Sequence, residues 1–214
     1  FATDSVRLTL EDRIFFVESR AVRERFDEED PVLEGQAHGV GREPLDRGAQ
    51  LAVDLQKLTS KGSWGHFHEI GHNHQSGDWT FGGTGEVTVN LFSLYLIDRC
   101  CGLKEPGHPA VKPEDRAKKT LEYIQKGSDF AKWKSDPFLA LYMYMQLQEA
   151  FGWDAYKKVF AEYRALPDDQ RPKTDDEKRD QWLTRFSRTV GRNLGPFFQA
   201  WGVPTSDAAR ASIA

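Results

Sequence analysis

The chain has 214 residues, enough to bury a sizeable core as one domain or as two closely packed subdomains. Hydrophobic residues at 39% beside charged residues at 29% describe a soluble globular protein. A net charge of −4 and a pI near 5.9, with lysines and arginines scattered among acids, leave no basic footprint for nucleic acid.

From the N-terminus, the chain opens on Phe1 without an initiator methionine or a signal-like start, so it reads as processed or excised. In 5–10, Val6, Leu8 and Leu10 alternate with Ser5, Arg7 and Thr9, the period of a strand. Residues 14–25 suit a helix, although 14–17 also suit a strand. Val32 and Leu33 begin a weaker extended stretch before the 35–41 loop, which carries His38. Leu51, Val53 and Leu55 alternate with Gln50, Ala52 and Asp54 as a further strand.

Ser63 is placed to cap a helix that opens at Trp64, with no proline before Gln75. Inside it His68, Glu69 and His72 form H-E-x-x-H. Residues four apart on a helix share a face, so His68 and His72 can hold one metal ion, with Glu69 beside it to take a proton from water. That is the layout of a zinc hydrolase. The same letters also arise by chance, so the context decides.

Glu86 follows His72 by 14 residues. The glycine-rich 77–85 stretch reads as a turn and 86–98 as a second helix, with Val87, Leu91, Leu94 and Ile97 as its buried stripe. Such a helix–turn–helix can return Glu86 to the histidine face as a third ligand, leaving the fourth position of a tetrahedral zinc open for water. Asn90, one turn further on, is placed to hydrogen-bond the free ring nitrogen of a ligand histidine. His66 and His74 do not share the face of both partners and read as solvent-facing or supporting. Trp79, in the turn, either lines a substrate cleft or simply packs. Cys100 and Cys101 are adjacent, which strains a disulfide and lacks zinc-site spacing, so they read as packing residues.

Beyond Gly107 the pattern becomes helical. Pro113 opens a segment with Ala117, Leu121 and Ile124 on one face, closed by Gly127. A second segment runs from Asp136-Pro137 to Phe151 and stops at Gly152. Trp153, Tyr156, Val159, Phe160 and Tyr163 mark a third, and 167–174 is a loop. Trp182, Leu183, Phe186 and Val190 mark a fourth, and 196–201 a short last one. The longest apolar run, 138–145, is too short to span a bilayer. The expected architecture is α+β: a zincin-like catalytic subdomain over 1–106, with a small sheet and the motif helix, then a helical subdomain over 107–214 packing on the cleft.

Trp64-Gly65-x-x-His68-Glu69-Ile70-Gly71-His72-Asn73-x-Gln75, followed by Glu86-Val87-Thr88-Val89-Asn90-Leu91-Phe92-Ser93-Leu94-Tyr95, resembles the enhancin-like gluzincin peptidases, peptidase family M sixty. The resemblance is close over 64–95 and looser as far as Ala200-Trp201-Gly202-Val203-Pro204. It implies a zinc endopeptidase with one ion held by His68, His72 and Glu86, and Glu69 as general base. It also implies a secreted or surface-bound protein acting on mucins or other O-glycosylated proteins. The family's upstream His-Ser-Gly-Tyr-Pro-like segment corresponds here to Ala37-His38-Gly39-Val40-Gly41, without the tyrosine or the proline, which leaves substrate contacts on that loop open. His38, Trp79 and Tyr95 are the candidates for substrate contact. His38, Tyr95 and the tyrosines of the helical half are the candidates for an oxyanion donor. Two other readings stay open: an inactive gluzincin-fold binding module for glycoproteins, and a zinc hydrolase of a small non-peptide substrate. The intact Glu69 argues against an inactive module.

Overall fold

The computed structural model describes residues 58, 60–104 and 107–214. Helix α1 (Trp64–His72) begins where Ser63 leaves an extended conformation, φ −151° and ψ 101°. The Ser63 hydroxyl meets Nδ1 of His66 at 2.7 Å instead of closing on the helix amides. Phe67 and Gly71 are the buried residues of α1, one turn apart and so on one face. The chain then turns through 73–84, where Trp79 and Phe81 enter the core. Asp78 pairs with Arg171, and the Gly82 amide donates to Asp175 at 2.9 Å.

Helix α2 (Gly85–Tyr95) runs back along α1 and continues into a π-helical turn, Leu96–Cys100. Residues 87–97 are all buried, so α2 is enclosed all round rather than along the single stripe that the periodicity suggests. That burial overrides the weak helix propensity of Val87, Thr88 and Val89.

A 3-10 turn, Pro109–Val111, leads to α3 (Pro113–Gln125), which has proline in its first turn. Its inward face carries Thr120 and Tyr123, not the expected Ala117, Leu121 and Ile124; Leu121 is 57% and Ile124 43% exposed. Tyr123 stacks on Trp201 at 5.8 Å and its hydroxyl donates to the Trp201 carbonyl at 2.9 Å. An aromatic ring with a satisfied hydroxyl wins the buried face, and helical geometry turns Leu121 and Ile124 off it. Helix α4 (Phe130–Ser135) has no periodic signal in the sequence. Asp129 caps it by accepting from the amides of Ala131 and Lys132, and Trp133 anchors it in the core.

Helix α5 (Pro137–Arg164), capped by Asp136, is interrupted at Gly152, whose φ of 75° and ψ of 175° suit glycine. The two apolar segments on either side of Gly152 are therefore distinct helical pieces. Helix α6 (Asp175–Val190) starts in a reciprocal capping box between Thr174 and Glu177 and ends at left-handed Gly191. Two short helices follow, α7 (Gly195–Ala200) and α8 (Asp207–Ala211).

Aromatic packing closes the interior. Trp182 of α6 is ringed by Tyr144, Tyr156, Phe160, Tyr163 and Phe186, with centroids 5.6 to 6.2 Å away. Burial pushes the Tyr144, Tyr156 and Tyr163 hydroxyls well above the ordinary phenol range, so they stay protonated. Helix α5 meets α2 on the side that carries Phe92 and Tyr95. Phe92 stacks on Phe160 at 5.8 Å, Tyr95 meets Trp153 edge-on at 5.3 Å, and the Trp153 indole donates to Asp98 at 2.6 Å.

The expected α+β fold with a small sheet is corrected by this architecture: the described residues form helices and turns, and no strand occurs among them. The stretches that suggest strands, 5–10, 32–33 and 50–55, and the ambiguous 14–25, lie outside the described residues. The buried surface of α2 is met by α1 and α5, so helix-on-helix packing supplies the layers that a sheet was expected to supply. No helix of the described residues is long and apolar enough to cross a membrane.

Two glycines of α1 have opposite surroundings. A methyl group at Gly71 would sit 2.8 Å from both Val89 Cγ2 and the Val89 carbonyl oxygen and 3.2 Å from Phe92 Cβ, whereas one at Gly65 meets nothing within 4 Å. Alanine gains up to about 1 kcal/mol over glycine in a helix, but overpacking a tight contact costs about 1–3 kcal/mol. Gly65→Ala is therefore expected to raise the denaturation midpoint slightly and Gly71→Ala to lower it. Equal shifts in the two variants would mean that α1 does not rest on α2 at Gly71.

The α6 cap supplies a pH-dependent contribution. The Glu177 carboxylate accepts from the amides of Lys173 at 2.6 Å and Thr174 at 3.0 Å, and these bonds hold its pKa below the ordinary glutamate value. A carboxyl depressed in the folded state contributes stability that is present above its unfolded pKa and is lost as pH falls through the lower folded value. Glu177→Gln is expected to be less stable than wild type at neutral pH and to match it in acid below the folded pKa. Urea midpoints at both pH values check this, and a gap undiminished in acid contradicts it.

Candidate metal centre

Helix α1 presents His68 and His72 one turn apart on one face, and their rings meet edge-on with centroids 4.8 Å apart. The turn after α1 reverses the chain, so the first turn of α2 brings Glu86 opposite them. Nε2 of His68 lies 3.0 Å from Oε2 of Glu86. One ligand atom from each of His68, His72 and Glu86 lies within 4.8 Å of the other two. Glu86 is 61% exposed and His68 19%, so the group faces out from the core that supports it.

Each imidazole is held by a side-chain amide. Nδ1 of His68 is 2.8 Å from Oδ1 of Asn90, whose Nδ2 donates to the Glu86 carbonyl at 2.7 Å. The amide oxygen is therefore an acceptor, and Nδ1 of His68 carries the proton. Nδ1 of His72 is 2.9 Å from Oε1 of Gln75, whose Nε2 donates to the Gly85 carbonyl and the Thr88 hydroxyl, both at 2.6 Å. Nδ1 of His72 is protonated for the same reason. In an imidazole whose Nδ1 carries the proton, Nε2 is the nitrogen that can offer a lone pair to a metal.

This donor set fits a zinc ion. Tetrahedral zinc with bonds of about 2.0–2.1 Å separates its ligand atoms by about 3.4 Å, a spacing bracketed by the 3.0 Å and 4.8 Å found here. Two neutral imidazoles and a carboxylate suit that ion, and each ring is oriented through its other nitrogen. Glu69, next to His68, is exposed on α1.

The other predicted residues fall elsewhere. Trp79 is 1% exposed, packed on Phe160 at 4.7 Å and Tyr163 at 5.6 Å, so its ring belongs to the core and offers no face to a substrate. Tyr95 is nine residues after Glu86, which places it on the opposite side of α2 and about 13 Å along its axis; it is buried against Trp153. All six tyrosines are buried. The hydroxyls of Tyr123, Tyr142 and Tyr156 donate to the carbonyls of Trp201, Ala110 and Tyr144, and burial pushes Tyr123 up to about 12. These three hydroxyls are engaged with backbone carbonyls inside the core. His38 lies outside the described residues. His66 pairs with Ser63, and His74 packs on Phe92 at 5.6 Å. Cys100 and Cys101 form no disulfide, and burial raises the Cys101 thiol. Sequence reasoning missed the contact of Gln75; its signal is the three-residue step past His72 at the end of α1, a spacing that brings side chains together.

Comparison with known proteins supplies the family. Peptidase M60, enhancin and enhancin-like, matches residues 20–202. TRPM8 channel-associated factor 2 of Bos taurus is 39% identical over 164 residues, covering 76% of this chain and 18% of that protein. The TRPM8 channel-associated factor homolog of Danio rerio is 43% identical over 154 residues, covering 71% of this chain and 16% of that protein. The crystal structure of a functionally unknown conserved protein from Bacillus anthracis str. Ames is 38% identical with a TM-score of 0.63, covering 74% of this chain and 31% of that one. The chain thus spans under a fifth of the length of these curated relatives and about a third of that solved chain. The matched region takes in α1, α2 and the whole His68, Glu69, His72 and Glu86 constellation, and the chain belongs to the Peptidase M60, enhancin and enhancin-like family.

Proposed function

We propose that this chain carries the metal centre of a zinc-dependent peptidase, with His68, His72 and Glu86 as ligands of one ion and Glu69 as general base. The observation that carries this reading is the pair of imidazoles, each held through Nδ1 by a side-chain amide oxygen, beside the Glu86 carboxylate. A zinc ion held there supplies Lewis-acid polarisation of the scissile carbonyl and activation of water. The Glu69 carboxylate accepts a proton from the attacking water and passes it to the nitrogen of the leaving amine. Asn90 keeps the His68 ring in the orientation that this division of labour needs.

The substrate in this reading is a polypeptide, and family membership supports a mucin-like, O-glycosylated one met at the cell surface or outside the cell. The exposure of His72, Glu69 and Glu86 supports access by a macromolecule. The names of the curated relatives, channel-associated factors, support a second reading: a binding module that keeps the metal face and holds a protein partner. Glu69 favours hydrolysis, because holding a partner has no use for a general base.

Protein purified without added metal is expected to hold one zinc per chain by elemental analysis, and His72→Ala to lose it. Glu69→Gln is expected to keep the zinc and the helical circular dichroism while cutting cleavage of a mucin-type glycoprotein at least about a hundredfold. Enzymatic removal of the glycans is expected to slow the wild type. Full activity in Glu69→Gln would eliminate Glu69 as the base. Wild type that holds zinc but cleaves neither substrate would favour the binding module.

A further inference from the structure

Gln75 lies in the turn just past α1 and is half-buried. Its amide reaches three places: Nδ1 of His72 at 2.9 Å, the Gly85 carbonyl at 2.6 Å and the Thr88 hydroxyl at 2.6 Å. Gly85 opens the helix that carries Glu86. Thr88 is buried, and its hydroxyl extends the chain of bonds to the Thr84 carbonyl at 3.3 Å and the Thr80 hydroxyl at 3.1 Å. Lys178 of α6 donates to the Thr80 carbonyl at 3.2 Å. One side chain therefore ties a histidine of α1 to the first turn of α2, and the tie is backed by the anchored turn between the helices.

A primary amide has a donor end and an acceptor end. The Gly85 carbonyl takes the NH2 end of Gln75. The Thr88 hydroxyl donates to Thr84, so its oxygen also accepts from that NH2 group. The amide oxygen is left for His72. His68 receives the same constraint from Asn90, within α2 itself, whereas His72 depends on a residue of the turn.

On the reading of His72 as a metal ligand, we propose that Gln75 is a positioning residue. It fixes His72 as the Nδ1–H tautomer and clamps the ring to the first turn of α2, so that the Nε2 lone pair is in place before an ion binds. The variants Gln75→Leu and Gln75→Glu separate the two parts of this role. Leucine removes every polar contact. Glutamate still accepts from His72 but can no longer donate to Gly85 and Thr88.

Long-range proton–nitrogen NMR of the metal-free proteins, at mildly alkaline pH where imidazoles are neutral, reads the tautomers. Zinc affinity is read by competition with a chromophoric chelator, and folding by circular dichroism. Wild type and Gln75→Glu are expected to show Nδ1–H at His72. Gln75→Leu is expected to shift His72 toward the Nε2–H form while His68 stays as it is. Zinc affinity is expected to fall about 10–100-fold in Gln75→Leu, and by less in Gln75→Glu. A His72 that stays Nδ1–H in folded Gln75→Leu, with unchanged zinc affinity, overturns the proposal. Should Gln75→Leu fail to fold, Gln75→Glu decides: an Nε2–H His72 there overturns it, and a retained Nδ1–H with weakened zinc binding supports it. The tautomers are read without metal. A wild type that binds no zinc therefore defeats the metal reading of His72 and leaves the NMR comparison to decide what Gln75 does to the ring.

Discussion

The close approach of α1 to α2 at Gly71 is the constraint on which the exposed face depends. The Val89 carbonyl and the Phe92 side chain leave no room for even a methyl group there. Gly71 lies between His68 and His72 in the chain, so the seat of this one residue sets the depth of both histidines against α2. At that depth Asn90 reaches His68, and Glu86 stands 3.0 Å from its Nε2. Glycine costs helix propensity, and here the packing that it permits offsets that cost.

Behind α1, α2 is held in place by burial and by bonds. It is buried from 87 to 97, and its Thr88 and Asn90 side chains are engaged in bonds that serve the site. Asn90 spends its donor on the Glu86 carbonyl and its acceptor on His68. Such an arrangement satisfies a buried amide and orients an imidazole in the same step. The aromatic cluster of α5 and α6 backs α2 through Phe92 and Phe160, and the turn between the two helices is pinned by Trp79, Phe81, the Asp78–Arg171 pair and the Gly82–Asp175 bond. The side chains of His68, His72 and Glu86 thus stand on elements whose own positions are determined by packing, which is what a preorganised site requires.

Much of this was legible in the residues. The four-residue step between His68 and His72 and the return of the chain toward Glu86 follow from helix period and a glycine-rich turn. The break at Gly152 and the start of α3 at Pro113 follow from backbone chemistry. What failed was direction. Trp79 and Tyr95 are near the motif along the chain, but their side chains point into the core, because a large ring gains more from aromatic neighbours than from solvent. Leu121 and Ile124 lost the inward face of α3 to Tyr123, whose hydroxyl has a carbonyl partner 78 residues away in sequence. The alternation that suggests a sheet lies in stretches outside the described residues, and among the described residues α2 is covered by helices. The bonds of Gln75 to Gly85 and Thr88 have no spacing signal, because they depend on the path of the turn.

Anomalous diffraction at the zinc edge, from crystals grown with zinc, tests the metal centre most directly. One peak is predicted, bonded to Nε2 of His68, Nε2 of His72 and a Glu86 carboxylate oxygen at about 2.0–2.2 Å, with the Nδ1 atoms still on Asn90 and Gln75. A peak bonded to either Nδ1, or one lying away from these three side chains, would contradict the account.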